Sequence, residues 1–472
     1  MSQPVRTEPA PVLVRPAAGE PRPAATLAVT SAATAVALMT YTAPMVTLGD
    51  TAASLHTGLS AQAWLLNGTP LGLAALLLVA GSLADDYGRR RAFLLGTFAL
   101  GLTTALGALA PNTLLFTLAR IAQGAASAAI LAASLGLLVH AFPTLSGRIR
   151  ATGVWGAFVS GGIALGPVVT GYVSQVADWR WAYGTLAAAA LLVAGLAPRS
   201  LTESRSPRAG RPDLPGALTL GLALTALLAA LTLGRDGWLR VPVGALLAAT
   251  VVLLAVFVAV EHKGSTPMLD LSLLRRPLFL ASTTGAFFTG LSVIALFSYV
   301  PTLVQRTMGL TPMDTAILLV LWSGAGFTVA LQARRLSGRV SPRHQLAVGF
   351  ALHAAAALTL LGAAGSGHWP RLLPGLLLSG IGSGLLNAAL PLLAVESVPA
   401  GRAAMGSGAS NTARYIGSAA GVSLTIALAT SEGTSPHALS EGMNTSLIVS
   451  ATLAVAAGAL LLTLRERRPS AA

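Results

Sequence analysis

The sequence of 472 residues contains no cysteine, which excludes disulfide bonds, thiol catalysis and cysteine-bound metals for this chain. It also lacks a phosphate-binding Walker loop, an HExxH zinc motif and a nucleophile paired with a positioned base. An enzyme and an ATP-driven pump are therefore disfavoured. We expect no catalytic residue, no metal site and no cofactor.

Charge is scarce as well, since only 10% of the residues are charged while 54% are hydrophobic. The mean hydropathy of +0.72 is typical of a membrane protein. Apolar stretches of about 20 residues, the length that an α-helix needs to cross a bilayer, recur along the chain. Their continuity favours helices over the alternating strands of a membrane barrel.

The basic residues, which give a formal net charge of +14, stand in short segments between the apolar stretches. This distribution favours the lipid bilayer as a partner and argues against nucleic acid. The first 24 residues are rich in proline and lack the apolar core of a signal peptide, so they predict a disordered cytoplasmic tail.

The apolar stretches predict an all-α membrane protein with fourteen transmembrane helices. The first six lie at residues 25–47, 62–81, 93–110, 114–139, 151–173 and 181–197. The other eight lie at residues 215–233, 241–260, 278–303, 313–333, 345–363, 372–395, 405–430 and 444–464.

A linker rich in proline and serine divides these helices into two six-helix bundles with two extra helices between them. The predicted organisation is a tail (1–24), an N-terminal bundle (25–197), a cytoplasmic linker (198–214), two inserted helices (215–260), a cytoplasmic loop (261–277), a C-terminal bundle (278–464) and a tail (465–472).

The distribution of basic residues predicts the orientation of the chain, because cytoplasmic loops carry more arginine and lysine. Most basic residues fall on the side of the N-terminus. The opposite side carries only Arg180, Arg235, Arg240, Arg306 and Arg371, and two arginines lie inside spans. We therefore expect a multi-pass protein of the cell membrane with both termini in the cytoplasm.

The segment between the second and third predicted helices concentrates charge in the sequence GSLADDYGRRRAFLLG (residues 81–96). From its charge alone it is equally well explained as a basic anchor with local ion pairs. Its spacing, Gly81-x-Leu83-Ala84-Asp85-x-x-Gly88-Arg89-Arg90, resembles the loop signature of the Major Facilitator Superfamily. The resemblance implies that Asp85 and the arginines join a charge network that links the two bundles and stabilises the outward-open state. Gly88 is expected at a turn that needs positive φ.

The fifth predicted helix carries the spacing Gly153-x8-Gly162-x3-Gly166-Pro167-x3-Gly171, with Thr170 before the last glycine. It resembles the antiporter signature of drug exporters, where a glycine pair usually stands in place of Thr170 and Gly171. Small residues let helices approach closely, and proline permits a bend. Small residues at this spacing are also common in membrane helices without a transport role.

The fourth predicted helix contains an arginine inside the span, Arg120, on one face with Gln123. It resembles the superfamily's fourth-helix arginine motif. An intramembrane arginine is costly unless it faces a wet cavity or a partner, although snorkelling to the headgroups is an alternative. Residues 301–316 and 406–424 resemble the fourteen-helix drug:proton antiporter family, as does the inserted helix pair.

That family usually has an acidic residue in its first helix, nine positions before a proline, and here Ala35 stands at that position relative to Pro44. His353 is the one group near a helix midpoint that could titrate near neutral pH. The alternative is a neutral histidine satisfied by a neighbouring helix. The resemblance leaves Asp85 with Arg120 as a second route for proton coupling.

Polar and aromatic residues of the central helices are candidates for substrate contacts, although each is at least as well explained by helix packing. They are Asn67, Gln123, Trp155, Phe297, Trp322, Asn387, Asn411 and Arg414. Few acids and several arginines favour small hydrophobic substrates that are neutral or anionic.

The resemblance implies a monomeric efflux transporter that exports drugs or antibiotics by alternating access, driven by the proton gradient. Two alternatives remain open. One is a Major Facilitator uniporter or symporter for a small metabolite, which the missing first-helix acid favours. The other is a membrane sensor that no longer transports, against which the intact loop at Asp85 argues.

Overall fold

The computed structural model describes residues 22–204, 214–234, 237, 239–263, 271–333, 340–398 and 403–464. The side chains of a few helical residues, among them Asp85 and Asp86, lie outside this description. Both predicted tails, apart from residues 22–24, and most of the predicted linker also lie outside it. All regular elements in the described part of the chain are helical.

The first bundle contains seven helical elements, because the first span is broken. They are α1 (Pro23–Thr42), α2 (Pro44–Ser54), α3 (Leu59–Tyr87), α4 (Arg89–Ala108), α5 (Thr113–Ala141), α6 (Leu145–Val176) and α7 (Trp179–Ser200). The inserted pair is α8 (Leu214–Gly234) and α9 (Val241–Lys263).

The second bundle also begins with an interrupted helix, in which a π-helical stretch (Thr289–Ile294) joins α10 to α11. Its elements are α10 (Pro277–Phe288), α11 (Ala295–Met308), α12 (Pro312–Ala333), α13 (Pro342–Thr359), α14 (Leu373–Glu396), α15 (Ala403–Ala429) and α16 (Pro436–Thr463).

All the predicted spans fall on helices, and the all-α membrane fold is confirmed. Within the described residues, twelve helical segments are long and apolar enough to cross a membrane. The other two predicted spans are α8, whose apolar part covers Leu218–Gly234, and α15, which carries several polar residues. The count of fourteen spans therefore stays a prediction.

Close packing inside a bundle depends on glycine. A Cβ atom at Gly72 of α3 would lie 2.0 Å from the carbonyl oxygen of Ile121 in α5, and one at Gly124 would lie 2.2 Å from that of Thr69. The two backbones are therefore in direct contact. Inside the bilayer the hydrophobic effect does not favour helix–helix contacts over helix–lipid contacts. Close van der Waals packing at small residues therefore stabilises the helix pair.

The two bundles meet along two seams. We call inner the face at which α1 begins and outer the face at which α2 ends. One seam pairs α3 with α15 and is covered by α8, and the other pairs α6 with α12. Near the outer face, α2 also contacts α11, and the amide of Gln305 donates a hydrogen bond to the carbonyl of Val46 (3.1 Å). The outer ends of the bundles are therefore joined.

Substituting Gly72→Ala should destabilise the first bundle by about 1–3 kcal/mol, because the added methyl group forces α3 away from α5. The matched control is Gly184→Ala on α7, where an added Cβ would meet nothing within 4 Å. Thermal unfolding of the detergent-purified proteins measures the effect. Equal melting temperatures for both variants would contradict this account of the packing.

Candidate functional site

The break between α1 and α2 leaves a backbone carbonyl without its helical donor. Pro44 has no N–H group, so the carbonyl of Thr40 cannot accept the usual i to i+4 hydrogen bond. The guanidinium of Arg120 donates to this oxygen at 2.6 Å and to the carbonyl of Tyr41 at 3.2 Å. Arg120, which lies on α5, thus supplies the hydrogen-bond donor that is missing at the helix break.

Arg120 is completely buried, and its described partners are all uncharged. Besides the two carbonyls it donates to the side-chain oxygen of Gln123 (2.9 Å), whose amide in turn donates to the carbonyl of Thr103. The guanidinium also lies 5.9 Å from the ring centre of Tyr183. Because carbonyl dipoles rather than a carboxylate balance the charge, the break in the first helix is what keeps the arginine in place.

The glycines of the α6 signature pack against two different helices. A Cβ at Gly162 would lie 2.6 Å from the carbonyl oxygen of Ala35, and one at Gly166 would lie 2.9 Å from the Cα of Met39, so both hold α6 against α1. A Cβ at Gly171 would lie 3.1 Å from the carbonyl oxygen of Pro312 in the other bundle. The signature therefore combines packing within the bundle with a contact across the seam.

Two further predicted residues belong to α6. Pro167 is buried inside the helix, which continues through it. The indole of Trp155 donates to the hydroxyl of Thr34 on α1 (2.9 Å). Trp155 thus adds a polar link to the glycine contacts between these helices.

His353 is fully buried in a hydrogen-bonded chain that crosses the second bundle. The indole of Trp322 donates to Ser379 (3.1 Å), and Ser379 contacts Nδ1 of His353 (2.9 Å). On the other side, Nε2 of His353 contacts Ser450 (3.0 Å), which donates to the carbonyl of Ser292 (3.0 Å).

The directions of these bonds assign the tautomer of the histidine. Ser450 uses its one proton on the carbonyl of Ser292, so it accepts from Nε2–H of His353. Nδ1 then accepts from Ser379, which itself accepts from Trp322. A neutral ring satisfies every member of the chain, which favours the structural alternative for His353 in this conformation. Its role as a proton carrier stays a prediction.

Phe297 and Trp322 form the aromatic pair next to His353. Their rings stack with centroids 4.7 Å apart at an angle of 13°, and the Phe297 ring lies edge-on to His353. Both side chains are buried. In this conformation the pair is therefore packed within the second bundle.

The predicted asparagines occupy different environments. Asn67 is buried at the junction of α3, α8 and α15, where its amide donates to Thr232, to the carbonyl of Ala419 and to Ser423. Asn387 on α14 is exposed, and Asn411 on α15 is half-buried. An exposed amide this far inside a span favours contact with a wet cavity. The structure does not bring these three residues together.

The charged turn between α3 and α4 consists of a single residue, since Gly88 alone separates the helices and has φ +125°. This agrees with the expected positive φ. Gly81 is half-buried beside Ala132 of α5, and Arg89 donates to the carbonyl of Gly136 (3.2 Å). The side chain of Asp85 lies outside the described residues.

Sequence reasoning missed the acid that binds this turn, which is Glu203 from the linker after α7. Its carboxylate accepts from the backbone N–H of Arg90 (3.0 Å) and lies 3.8 Å from the guanidinium of Arg91. The backbone N–H of Arg89 donates to the carbonyl of Ser204, and Arg90 donates to that of Pro198. An acid among the arginines of the predicted linker was the available signal.

Two helical bundles that meet along two seams, with an internal arginine and helix breaks near the contact, define the architecture of a secondary transporter. The sequence matches the Major Facilitator Superfamily over residues 30–422. The chain belongs to this superfamily, as its motifs indicated.

Similar proteins extend over most of the chain. The multidrug resistance protein Stp of Mycobacterium tuberculosis (strain CDC 1551 / Oshkosh) is 33% identical over 382 residues, which is 80% of this chain and 70% of Stp. The puromycin resistance protein pur8 of Streptomyces alboniger is 32% identical over 420 residues, which is 86% of this chain and 82% of pur8.

A solved structure shares the fold. It is a bacterial homolog of the human lysosomal transporter Spinster in an inward-facing, unoccupied conformation, with a TM-score of 0.65 and 15% identity, and the match covers 94% of this chain and 97% of that one.

The substitution Arg120→Met should be less damaging when it is combined with Pro44→Ala. An alanine after the break would supply a backbone N–H for the carbonyl of Thr40, which would then no longer need the guanidinium. A double-mutant cycle of thermal stability should give a coupling energy of about 0.5–3 kcal/mol between the two sites. Additive losses would contradict the proposed link between helix break and arginine.

Glu203→Ala should loosen the start of α4 by about 1 kcal/mol, the usual effect of removing a helix cap. Hydrogen–deuterium exchange of residues 88–92 should rise, and Glu203→Gln should have a smaller effect because it still accepts from Arg90. Glu432→Ala, at an exposed acid near the outer face, is the control. Unchanged exchange in Glu203→Ala would show that the carboxylate does not hold the turn.

Proposed function

We propose that the protein exports hydrophobic drugs or antibiotics across the cytoplasmic membrane by proton antiport and alternating access, with both termini in the cytoplasm. The names of its relatives, a multidrug resistance protein and a puromycin resistance protein, support drug export. The α6 signature supports antiport. We propose a monomer without a cofactor, whose substrates are neutral or anionic.

The observation that carries the proposal is the difference between the two ends of the molecule. Near the outer face, Gln305 bonds across the bundles to Val46, and Gly171 lies on Pro312. Deeper in the spans, Asn387 is exposed and Asn411 and Arg414 are half-buried. This arrangement supports a pathway that opens toward the inner face, one of the two states that alternating access requires.

This chain has no acidic residue at the first-helix position that the related antiporters usually use. The three candidates for proton coupling, Arg120, His353 and Asp85, differ in their chemistry. Arg120 does not release its proton in proteins, so we assign it to positioning α1. His353 is satisfied as a neutral ring. Asp85 supplies the carboxylate of the loop that resembles the superfamily signature, and we propose it for coupling, with His353 second.

A facilitator for a small metabolite is the second candidate function. The observation that favours it is Ala35, whose backbone packs against Gly162 at the position where the related antiporters usually carry an acid. Such a protein would move its substrate without proton exchange.

Expression in a bacterial host without its own efflux pumps should raise resistance to an uncharged antibiotic such as chloramphenicol. In proteoliposomes, movement of the same compound should be accompanied by proton counterflow, read with an internal pH dye. Asp85→Asn should abolish counterflow and His353→Ala should reduce it less. Asp178→Asn, at the N-cap of α7, is the control because asparagine caps helices equally well.

Substrate movement without proton counterflow in the wild type would support the facilitator and refute antiport. A lack of movement for every compound would refute transport of drugs altogether.

A further inference from the structure

A polar stripe runs along α15 toward the middle of the membrane. Ser407, Asn411, Arg414 and Ser418 follow one another at spacings of four, three and four residues, which places them on one face of the helix. The first three are half-buried, and Ser418 is fully buried. Arg414 lies near the midpoint of α15, where a charge must face water or a partner.

The neighbours of α15 show where the stripe points. On one flank, Gly417 and Gly421 touch the backbones of Phe287 and Leu291 in the second bundle. On the other flank, an added Cβ at Gly408 would meet Leu78 of α3 in the first bundle. The stripe lies between these flanks, at the border of the two bundles, and Gly290 of the π-helical stretch touches its backbone at Arg414 and Ser418.

At its outer end the stripe reaches a small cavity between the bundles, which is lined by Tyr41, Pro44, Ser298 and Ser418 among others. The hydroxyl of Ser418 is fully buried at this cavity. Tyr41 stands opposite, with its ring edge-on to Tyr415 at 6.0 Å. The carbonyl of Tyr41 accepts from Arg120 (3.2 Å), and the guanidinium of Arg414 lies over the ring of Tyr415. Two cations thus flank the same point of the cleft.

Arg414 differs from Arg120 and Arg180 in its hydrogen bonding. Arg120 donates to two carbonyls and a glutamine, and Arg180 donates to the carbonyls of Ala108 and Ala110. The guanidinium of Arg414 lies 5.4 Å from the ring centre of Tyr415, and its Nε is buried without a partner. No carboxylate or carbonyl of the described residues accepts from it.

We propose that Arg414 binds the anionic group of the exported compound, a carboxylate or a phenolate, inside the cleft. A guanidinium presents a planar fork of donors that matches a carboxylate in two parallel hydrogen bonds. Asn411, one turn away, lies beside the same group, and the rings of Tyr41 and Tyr415 provide an apolar surface for the rest of the molecule. The inference rests on the proposed export function and narrows its substrates to organic anions.

Equilibrium binding to the purified full-length protein tests this proposal with three matched probes. They are 1-naphthylacetate, its uncharged methyl ester and 1-naphthylethylamine, which share one ring system and differ in charge. The wild type should bind the acid best and the amine worst. Arg414→Gln should weaken binding of the acid about tenfold or more, as expected for a charged hydrogen bond, and leave the ester almost unchanged.

Two further variants separate binding from folding. Arg414→Lys keeps the charge without the fork and should retain part of the preference for the acid. Arg180→Gln removes an arginine that bonds backbone near the outer face and should leave the ratio of acid to ester binding unchanged. Retained binding of the ester confirms that each variant is folded.

Parallel loss of acid and ester in Arg414→Gln, an unchanged preference in that variant, or a wild type that prefers the amine would each overturn the proposal. Failure of this inference can be distinguished from failure of the proposed export function. Export of uncharged antibiotics with no role for Arg414 in acid binding refutes this inference alone, whereas charge-selective binding without any export refutes the proposed function.

Discussion

A membrane offers no water to a broken helix, so each backbone carbonyl that loses its partner inside the bilayer must find another one in the protein. The break at Pro44 creates such a carbonyl on Thr40, and the buried guanidinium of Arg120 supplies the missing donor. The dependence is mutual. The carbonyls give the arginine a partner that no described carboxylate provides, and the arginine lets the first helix change direction.

The first helix of the second bundle is also interrupted, so its backbone carbonyls there need hydrogen-bond partners from other helices as well. The π-helical stretch contains Ser292, whose carbonyl accepts from Ser450, and this serine continues through His353 to Ser379 and Trp322. Each bundle therefore begins with an irregular helix that side chains from later helices hold. The outer pieces of these two helices, α2 and α11, are in contact where the bundles close.

At the inner face, the arginines after Gly88 bond to groups of their own bundle and of the linker. Glu203 and Ser204 bind the turn immediately before the chain leaves for the inserted pair. A segment that connects the bundles is thus attached to the charged turn.

The sequence by itself determined the membrane class, the positions of the helices and the family, because hydrophobic runs and glycine spacing are local properties of the chain. It also located Arg120 and the turn at Gly88. It did not reveal that the carbonyl of Thr40 accepts a hydrogen bond from Arg120, that Glu203 binds the turn, or that two serines are the hydrogen-bond partners of His353. These pairings join residues far apart in the chain, and serines and linker acids carry no periodic signal. Only the tertiary structure decided them, since a buried polar group takes whichever partner the packing of neighbouring helices brings within hydrogen-bond distance.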